Sequence, residues 1–218
     1  MSVLVSVRSA WALSAVLALA CSGLSARHVE AQRAPVGPST RSYVRFDTAV
    51  LALTNVRVID GTGAAPREAQ TIIVRDGRIA ALGPSAGVSV PAGAQVLDLG
   101  GKSVIPGLVM VHEHLYYPVG AGTYANLTES FSRLYLAGGV TSMRTGGNMN
   151  GLAEILVAQA IARGEKPGPF IDATAPYLEG PGMGFNQVVP LRDTTHAKQL
   201  VAYWADQGAT SFKAYMNI

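Results

Sequence analysis

Two histidines separated by a single residue follow an apolar run that begins at Val104. Side chains alternate along a β-strand, so His112 and His114 would project from the same face. Imidazole nitrogen is a good zinc ligand, and two such groups on one rigid strand can share one ion. The pattern therefore predicts a metal site at the end of a strand, with Glu113 on the opposite face in a structural role. The competing interpretation is a pair of partly exposed histidines at a strand end.

A lysine occupies the middle of a second apolar run, Thr210–Met216. Ser211, Lys213 and Tyr215 would share one face of this strand, where a buried ammonium group is costly. Burial disfavours the charged form of an amine, and a neutral amine can add carbon dioxide to become a carbamate that two metal ions share. Lys213 is therefore a candidate catalytic residue and metal ligand. Taken alone, it is better explained as a lysine that extends from a strand end toward solvent.

The elements that would position these residues fall into two parts. The first part is rich in β-branched residues and turn signals, and the dipeptide Asp76-Gly77 between extended segments is typical of a hairpin. We therefore predict a small antiparallel β unit here. Its predicted strands are Val50–Ile59, Thr71–Leu82 and Gln95–Val104.

After Pro106 the pattern changes to short apolar strands separated by amphipathic helices, which is typical of repeated βα units. Helices are predicted from about Leu152 to Arg163 and again after Asp193. A complete (β/α)8 barrel needs about eight such units in about 250 residues, and only four fit here. The predicted strands lie near Val109–Val111, Val140–Met143, Phe170–Ala173 and Ser211–Tyr215.

The stretch Gly101–Gly107 and the two histidines after it resemble the signature that leads into the first barrel strand of the metal-dependent amidohydrolase superfamily. Asn55–Gly61 and Gly138–Arg144 are similar to a sandwich strand and to the second barrel strand of that family. The resemblance covers residues 50–218. It is nearest to the imidazolonepropionase-like and prolidase-like branch.

The resemblance implies an α/β fold, in which part of a small β-sandwich precedes the first half of a (β/α)8 TIM-type barrel that stops after its fourth strand. It implies a hydrolase that acts on C–N bonds of amides, cyclic amides or Xaa-Pro-type peptides by metal-activated water. One or two divalent metal ions, zinc above all, would be held by His112, His114 and a carboxylated Lys213. Tyr116 and Tyr117, which follow the histidines, are candidates for substrate binding.

Some features of the family are not matched in this chain. Met110 and Thr145 stand where many members have aspartate. Two further histidines from the fifth and sixth strands, and an aspartate acid/base from the last, would come after Ile218. His28 and His196 cannot replace them, because one lies in the leader and the other on an outer helix. We therefore expect an inactive portion of an enzyme that, at full length, acts on a small molecule or short peptide and forms a homo-oligomer.

The N-terminal residues have the features of a secretory leader. Arg8 precedes an apolar stretch of about ten residues, too short to span a bilayer, and small residues offer cleavage sites up to Ala31. Cys21, the single cysteine, follows a partial lipoprotein box and is a candidate for lipidation as a membrane tether. We expect a periplasmic or secreted protein. The predicted organisation is a leader at residues 1–31, a linker at 32–46, a β-sandwich portion at 47–106 and a half-barrel at 107–218.

Composition and charge narrow the classes of partner. The formal net charge of +3 is spread thinly along 218 residues without clustered basic and aromatic residues, so nucleic acid is not an expected partner. A non-catalytic extracytoplasmic binding or surface protein built on a half-barrel stays open as an alternative, although its uncovered strand edges would need a partner. A doubly wound nucleotide-binding fold ranks last, because the glycine-rich loop expected after its first strand is replaced by His-Glu-His.

Overall fold

A computed structural model describes residues 35–182 and 187–215 of the chain. The predicted leader and Cys21 lie outside the described residues, so secretion and lipidation stay predictions. In the described part of the chain, no helix has the length and apolar character needed to cross a membrane.

The first part of the structure is a five-stranded sheet. Its strands are β1 (Val50–Val58), β2 (Arg67–Arg75), β3 (Arg78–Pro84), β4 (Gln95–Asp98) and β5 (Ser103–Val104). The order across the sheet is β3-β2-β1-β4, and β5 also pairs with β1. The second and third predicted runs therefore each contain two strands, because a turn interrupts each of them.

The hairpin predicted at Asp76-Gly77 is confirmed as the connection between β2 and β3. The φ angles of the two residues are 49° and 76°, which is the left-handed conformation that a two-residue type I′ turn requires. Glycine adopts this conformation without steric cost, and aspartate tolerates it better than most residues. As a result β2 is antiparallel to both of its neighbours, β1 and β3.

The prediction of a wholly antiparallel unit is wrong for β4 and β5, which run parallel to β1. Because β3 already runs in the same direction as β1, the segment 85–94 has to carry the chain back across the sheet before β4 begins. Turn signals such as Gly83-Pro84 show where a strand ends, but not with which strand the next one pairs. The sequence pattern therefore did not reveal this crossover.

The second part is a parallel three-stranded sheet with an inserted antiparallel hairpin. Its elements include β6 (Leu108–Glu113), the hairpin of β7 (Tyr116–Gly120) and β8 (Thr123–Asn126), and then β9 (Val140–Thr145) and β10 (Phe170–Asp172). The sheet order is β10-β9-β6. The helices are α1 (Pro38–Arg41), α2 (Thr128–Ala137), α3 (Leu152–Ala162) and α4 (Thr194–Asp206). Three predicted strands and both predicted helices are confirmed, whereas the sequence pattern did not predict the hairpin after His114.

The predicted fourth strand, Ser211–Tyr215, is present only as two isolated parallel bridges to the segment 174–178. The register slips by one residue between the two bridges. Pro176 lies in this interval and has no backbone N–H to donate to a ladder. The N–H of Leu178 still donates to the carbonyl of Lys213 at 2.9 Å. The chain therefore follows the predicted path without forming a regular strand.

The core of the second part lies between its sheet and its helices. Phe131, Ile161 and Trp204, from three different helices, pack against the core. The opposite face of β6 is open, because Val109 and Val111 are 66% and 72% exposed. Burial in this part is therefore one-sided. The buried core residues are Leu115, Val140, Met143, Ile155, Val157, Ile171, Ala173, Ala175 and Ala209.

A close approach of β6 and β9 explains the glycine of the Pro106-Gly107 pair. A Cβ atom on Gly107 would lie 2.1 Å from Oγ1 of Thr141, far inside van der Waals contact. The N–H of Leu108 donates to the carbonyl of Gly139 at 2.9 Å. These contacts together fix the start of the strand that carries the histidines.

Part of the predicted linker is attached to the second part of the structure. The N–H of Gly37 donates to the carbonyl of Gly164 at 2.9 Å, and the hydroxyl of Ser39 donates to the carbonyl of Glu165 at 2.5 Å. These bonds hold the first turn of α1 against the chain that follows α3. The domain boundaries near residues 46 and 106 stay predictions.

Candidate metal site

The two predicted histidine ligands lie together at the carboxyl end of β6. The ring centroids of His112 and His114 are 5.2 Å apart, and the ring planes meet at 84°. The ladder between β6 and β9 shifts register between Met110 and Glu113. Glu113 reaches α2, where the hydroxyl of Tyr135 donates to its Oε2 at 2.6 Å. The imidazoles thus share one region, and Glu113 has a structural partner on the helical side.

The His112 ring lies directly over a glycine at the end of β9. A Cβ atom on Gly146 would be 2.1 Å from Cδ2 of His112. The N–H of Gly146 donates to the carbonyl of Glu113 at 2.8 Å, which ties this glycine to β6. Because Gly146 has no side chain, the imidazole can occupy the space above its backbone.

His114 is half-buried and lies in an environment that favours its neutral form. Burial lowers the pKa of His114, the charges of His112 and Lys213 lower it further, and a hydrogen bond with the backbone of Gly147 opposes them. Its Nδ1 is buried and has no hydrogen-bond partner among the described residues. Neutral imidazole is the form that binds metals. An unpartnered ring nitrogen of this kind is a suitable donor for a divalent cation.

Lys213 comes from a distant part of the sequence but reaches the same region. Its Nζ lies 5.1 Å from the ring centroids of Tyr177 and Tyr215, which is within the range of cation–π contacts. Its charge also lowers the pKa of His114, and the Tyr177 ring that it contacts is bonded through its hydroxyl to Tyr116, which lies against the His114 ring. The structure therefore brings all three predicted metal donors together.

The donor set suits a metal ion but is incomplete. Within residues 35–182 and 187–215, no group of three or more His, Cys, Asp or Glu side chains is arranged to hold a metal. Two imidazoles and one amine, or the carbamate formed from it, are fewer than the four ligands of a closed zinc site. His112, His114 and Lys213 therefore fit one side of a metal shell.

The two candidate substrate-binding tyrosines have different environments. Tyr116 is buried against the His114 ring, with 4.7 Å between ring centroids, and its hydroxyl shares a 2.6 Å hydrogen bond with that of Tyr177. Burial raises the pKa of Tyr116 to about 12 and also raises the pKa of Tyr177. Tyr117, on β7, is 60% exposed. Tyr116 therefore supports His114, whereas Tyr117 presents its ring to solvent.

A buried pair of hydroxyl groups, which the sequence analysis did not assign, joins the ends of β9 and β10. The Oγ1 atoms of Thr145 and Thr174 are 3.0 Å apart, and both side chains are fully buried. The N–H of Thr174 donates to Oγ1 of Thr145 at 2.9 Å. Thr145, which departs from the family pattern, thus has a structural role as a crosslink between strand ends.

A buried carboxyl group behind the histidines was also missed. Glu154 lies in the first turn of α3 with 0% exposure, and its Oε1 accepts a hydrogen bond from Nδ2 of Asn150 at 2.9 Å. Burial raises the pKa of Glu154 to about 8, whereas hydrogen bonds from Asn150, Thr145 and the backbone of Met149 lower it. A single acid in an otherwise mostly apolar helix is the sequence signal that could have found it.

No family model matches the chain. The chain is 35% identical over 120 residues to a dihydroorotase of Pelobacter propionicus, which covers 54% of this chain and 27% of the relative. It is 36% identical over 95 residues to an enamidase of Eubacterium barkeri, which covers 42% of this chain and 24% of the relative. The solved structure of a Bifidobacterium longum protein described as a prolidase matches with a TM-score of 0.60 and 28% identity, over 76% of this chain and 40% of that one.

These similarities and the arrangement of strands and histidines agree with one another. The relatives and solved structures that the chain resembles support the amidohydrolase superfamily. It spans about a quarter of the length of the two curated relatives and less than half of the matched structure.

Proposed function

We propose that the chain is the N-terminal portion of a metal-dependent hydrolase that cleaves carbon–nitrogen bonds in amides, cyclic amides or Xaa-Pro-type peptides. The observation that carries the proposal is the meeting of His112, His114 and Lys213 in one region, although Lys213 is far from the histidines in sequence. The names of the relatives support the class of reaction, since they include a dihydroorotase, an enamidase and a prolidase.

We further propose that the second part of the structure is the first half of a (β/α)8 barrel. Three parallel strands with helices packed on one face support this proposal. Among the described residues, β6 pairs with a parallel strand on one side only. Val109 and Val111 expose the face that the interior of a closed barrel would bury. The partial coverage of the relatives agrees with a chain that supplies part of such a barrel.

The side chains at the strand ends have defined roles beside a divalent cation. A bound zinc ion would supply Lewis-acid activation of water and of a substrate carbonyl. His112 and His114 would hold the ion as neutral imidazoles, a form that burial favours for His114. Lys213, as a neutral amine, can add carbon dioxide and lose a proton to give a carbamate, whose oxygens are ligands for divalent metals. Tyr116 and Tyr177 stay protonated near neutral pH, because burial raises the pKa of both, and support His114 without adding charge.

Zinc binding tests the two histidines. We expect the purified chain to bind zinc weakly, and His112→Ala and His114→Ala each to reduce the apparent affinity by at least about tenfold, because each removes a ligand. Equilibrium dialysis followed by elemental analysis measures the bound metal. His196→Ala is the matched control, because this histidine lies on α4 and is not one of the proposed ligands. Its backbone N–H, which is bonded to Asp193, is kept in the variant. Unchanged zinc binding in the double variant His112→Ala/His114→Ala would show that these histidines are not zinc ligands.

Carboxylation tests Lys213 separately. We expect isotope-labelled bicarbonate, added together with zinc, to give a carbamate signal in carbon NMR spectra of the chain. The signal should disappear in Lys213→Met and persist in Lys198→Met, because Lys198 is exposed on α4. A signal of equal strength in both variants would show that Lys213 is not the modified residue.

Turnover tests the proposal that this chain holds only part of the catalytic machinery. With zinc and bicarbonate added, we expect no hydrolysis of acyl-proline dipeptides or cyclic amides, because the donors present complete only part of a metal shell. Steady hydrolysis by the monomeric chain would show that fewer ligands suffice.

The location of the protein is a proposal that rests on the leader alone. We propose that the mature protein is periplasmic or secreted, because Arg8 and the short apolar stretch after it have the pattern of a signal peptide. Mass spectrometry of the native N-terminus tests this. An intact segment 1–31 on a cytoplasmic protein would contradict it, and a lipid on Cys21 would identify a lipoprotein.

A further inference from the structure

We propose that Asn150, held in place by Glu154, is a positioning residue that fixes the peptide after His114 and thereby the direction of the His114 ring. The part of this proposal that concerns metal binding rests on the proposed function. A carboxamide has two N–H donors on one nitrogen. Nδ2 of Asn150 uses both, because it donates to the carbonyl of Leu115 and to Oε1 of Glu154, each at 2.9 Å. Leu115 follows His114 directly in the sequence.

The carbonyl of Leu115 is held from two sides. It accepts a second hydrogen bond from the N–H of Leu127 at 3.0 Å, so both lone pairs of this oxygen are used. The Leu115 side chain is itself fully buried. The peptide that leaves His114 is therefore tied to the start of α2 through Leu127 and to the start of α3 through Asn150. A ligand that follows such a fixed peptide has little freedom to change its direction.

Burial of the Glu154 carboxyl group is unfavourable for folding, which suggests that the group has a specific role. A carboxyl group with 0% exposure loses its hydration, and this loss is compensated only by hydrogen bonds. Its Oε1 accepts the hydrogen bond from Asn150, and its Oε2 is buried without a hydrogen-bond partner among the described residues. Thr145 and the backbone of Met149 are near enough to lower its pKa, and all three neighbours lie in β9 or in the loop between β9 and α3. An acid in this place therefore orients the Asn150 amide, and through it the end of β6.

The same loop also connects to the third strand end. The N–H of Asn150 donates to Oδ1 of Asn148 at 2.7 Å. Nδ2 of Asn148 donates to the carbonyl of Thr174 at 3.1 Å, and Asn148 is fully buried. The two asparagines therefore join the segments that follow β6, β9 and β10. Because the segment 174–178 is bonded to the chain around Lys213, this network also relates His114 to Lys213.

Two substitutions of Glu154 separate positioning from stability. Glu154→Gln keeps an oxygen that can accept the Asn150 hydrogen bond, so we expect zinc affinity and the His114 ring signals in NMR spectra to stay close to those of the unchanged chain. Glu154→Met removes the acceptor and replaces a buried carboxyl by an apolar group of similar length. We expect this chain to be folded and at least as stable to heat, because the desolvation cost is gone. Its zinc affinity should nevertheless fall by about 10- to 100-fold, and its His114 signals should shift and broaden.

Asn150→Leu provides the second line of evidence, because it has a similar size and no donors. We expect it to shift the His114 signals of the metal-free chain and to weaken zinc binding in the same way. Gln159→Met is the matched control on α3, since this exposed glutamine bonds only weakly, at 3.4 Å, to the carbonyl of Gln207. If Asn150→Leu does not fold, Glu154→Met decides the question.

The two kinds of readout keep the hypotheses apart. The NMR signals of His114 are recorded without metal, so they test positioning even if the chain binds no zinc. Failure of the proposed function would appear as absent zinc binding in the unchanged chain. Unaltered His114 signals in folded Glu154→Met would overturn the positioning role, whatever the chain does with zinc.

Discussion

Replacing Glu154 by glutamine should remove a strong pH dependence from the stability of the chain. The carboxyl is fully buried in α3, and the groups that contact it, Asn150, Thr145 and the backbone of Met149, are neutral donors. Glutamine has nearly the same shape and can still accept the Asn150 hydrogen bond, but it does not titrate. The comparison between the two chains therefore isolates the ionisation of one buried group.

The direction and size of the effect follow from the raised pKa. Burial raises the pKa of Glu154 in the folded chain from the ordinary value of 4.5 to about 8. Between these values the folded chain holds a proton that the unfolded chain has released, so raising the pH favours unfolding. The contribution of Glu154 to the free energy of unfolding is therefore fully present below about pH 4.5 and is lost as the pH rises toward about 8. The whole shift corresponds to about 5 kcal/mol, of which about 3 to 4 kcal/mol falls between about pH 5 and about pH 8.

Urea denaturation followed by far-UV circular dichroism measures this difference. The free energy of unfolding of the unchanged chain and of Glu154→Gln is determined at about pH 5, 6, 7 and 8, and the difference between the two chains is plotted against pH. Contributions from all other groups that titrate identically in both chains cancel. Parallel curves, in which the difference stays constant with pH, would refute the reasoning, because they would mean that Glu154 is ionised in the folded chain throughout this range.

Two further predictions concern the local geometry. Gly146→Ala should displace the His112 ring at a cost of about 1 to 3 kcal/mol, because the new Cβ atom would lie 2.1 Å from Cδ2 of His112. Shifted His112 ring signals in NMR spectra would confirm this, with Gly100→Ala as the control, since its Cβ would lie 3.6 Å from the nearest atom. Asp193→Ala removes the side chain that caps α4 by accepting a backbone N–H at 2.7 Å, and should lower the free energy of unfolding by about 1 kcal/mol in urea titrations. An equal loss in Asp206→Ala, at the other end of the same helix, would contradict the capping role.

The parts of the fold that the sequence predicts well depend on local chemistry. Asp76-Gly77 forms its hairpin because the two residues accept positive φ angles, and α4 begins at Thr194 because the side chain of Asp193 caps it. The pairing of β4 and β5 with β1 depends on contacts between distant segments, which turn signals do not encode. The irregular segment around Lys213 pairs with a distant segment that contains Pro176, which has no N–H to donate to a ladder, and this pairing cannot be read from the residues around Lys213.

The candidate site shows the same division. His112 and His114 could be predicted because strand alternation alone brings two residues on one strand to one face. Lys213 was placed with them through the resemblance, and the structure brings its charge close enough to affect His114. Glu154 could have been noticed as the single acid of a mostly apolar helix, but the role of Asn150 could not be predicted, because it depends on the carbonyl of Leu115, which belongs to a different βα unit. A backbone acceptor has no signature in the sequence.

The contact between Gly107 and Thr141 shows that part of the family motif is required by strand packing and not by metal binding. Any side chain at position 107 would collide with Thr141 and push β6 and β9 apart. The glycine of the motif therefore encodes the spacing of two strands, and a chain that had lost its metal ligands would keep the same glycine for as long as it kept the same sheet. Detection of that motif is evidence about architecture. Information about chemistry begins five residues later, at His112.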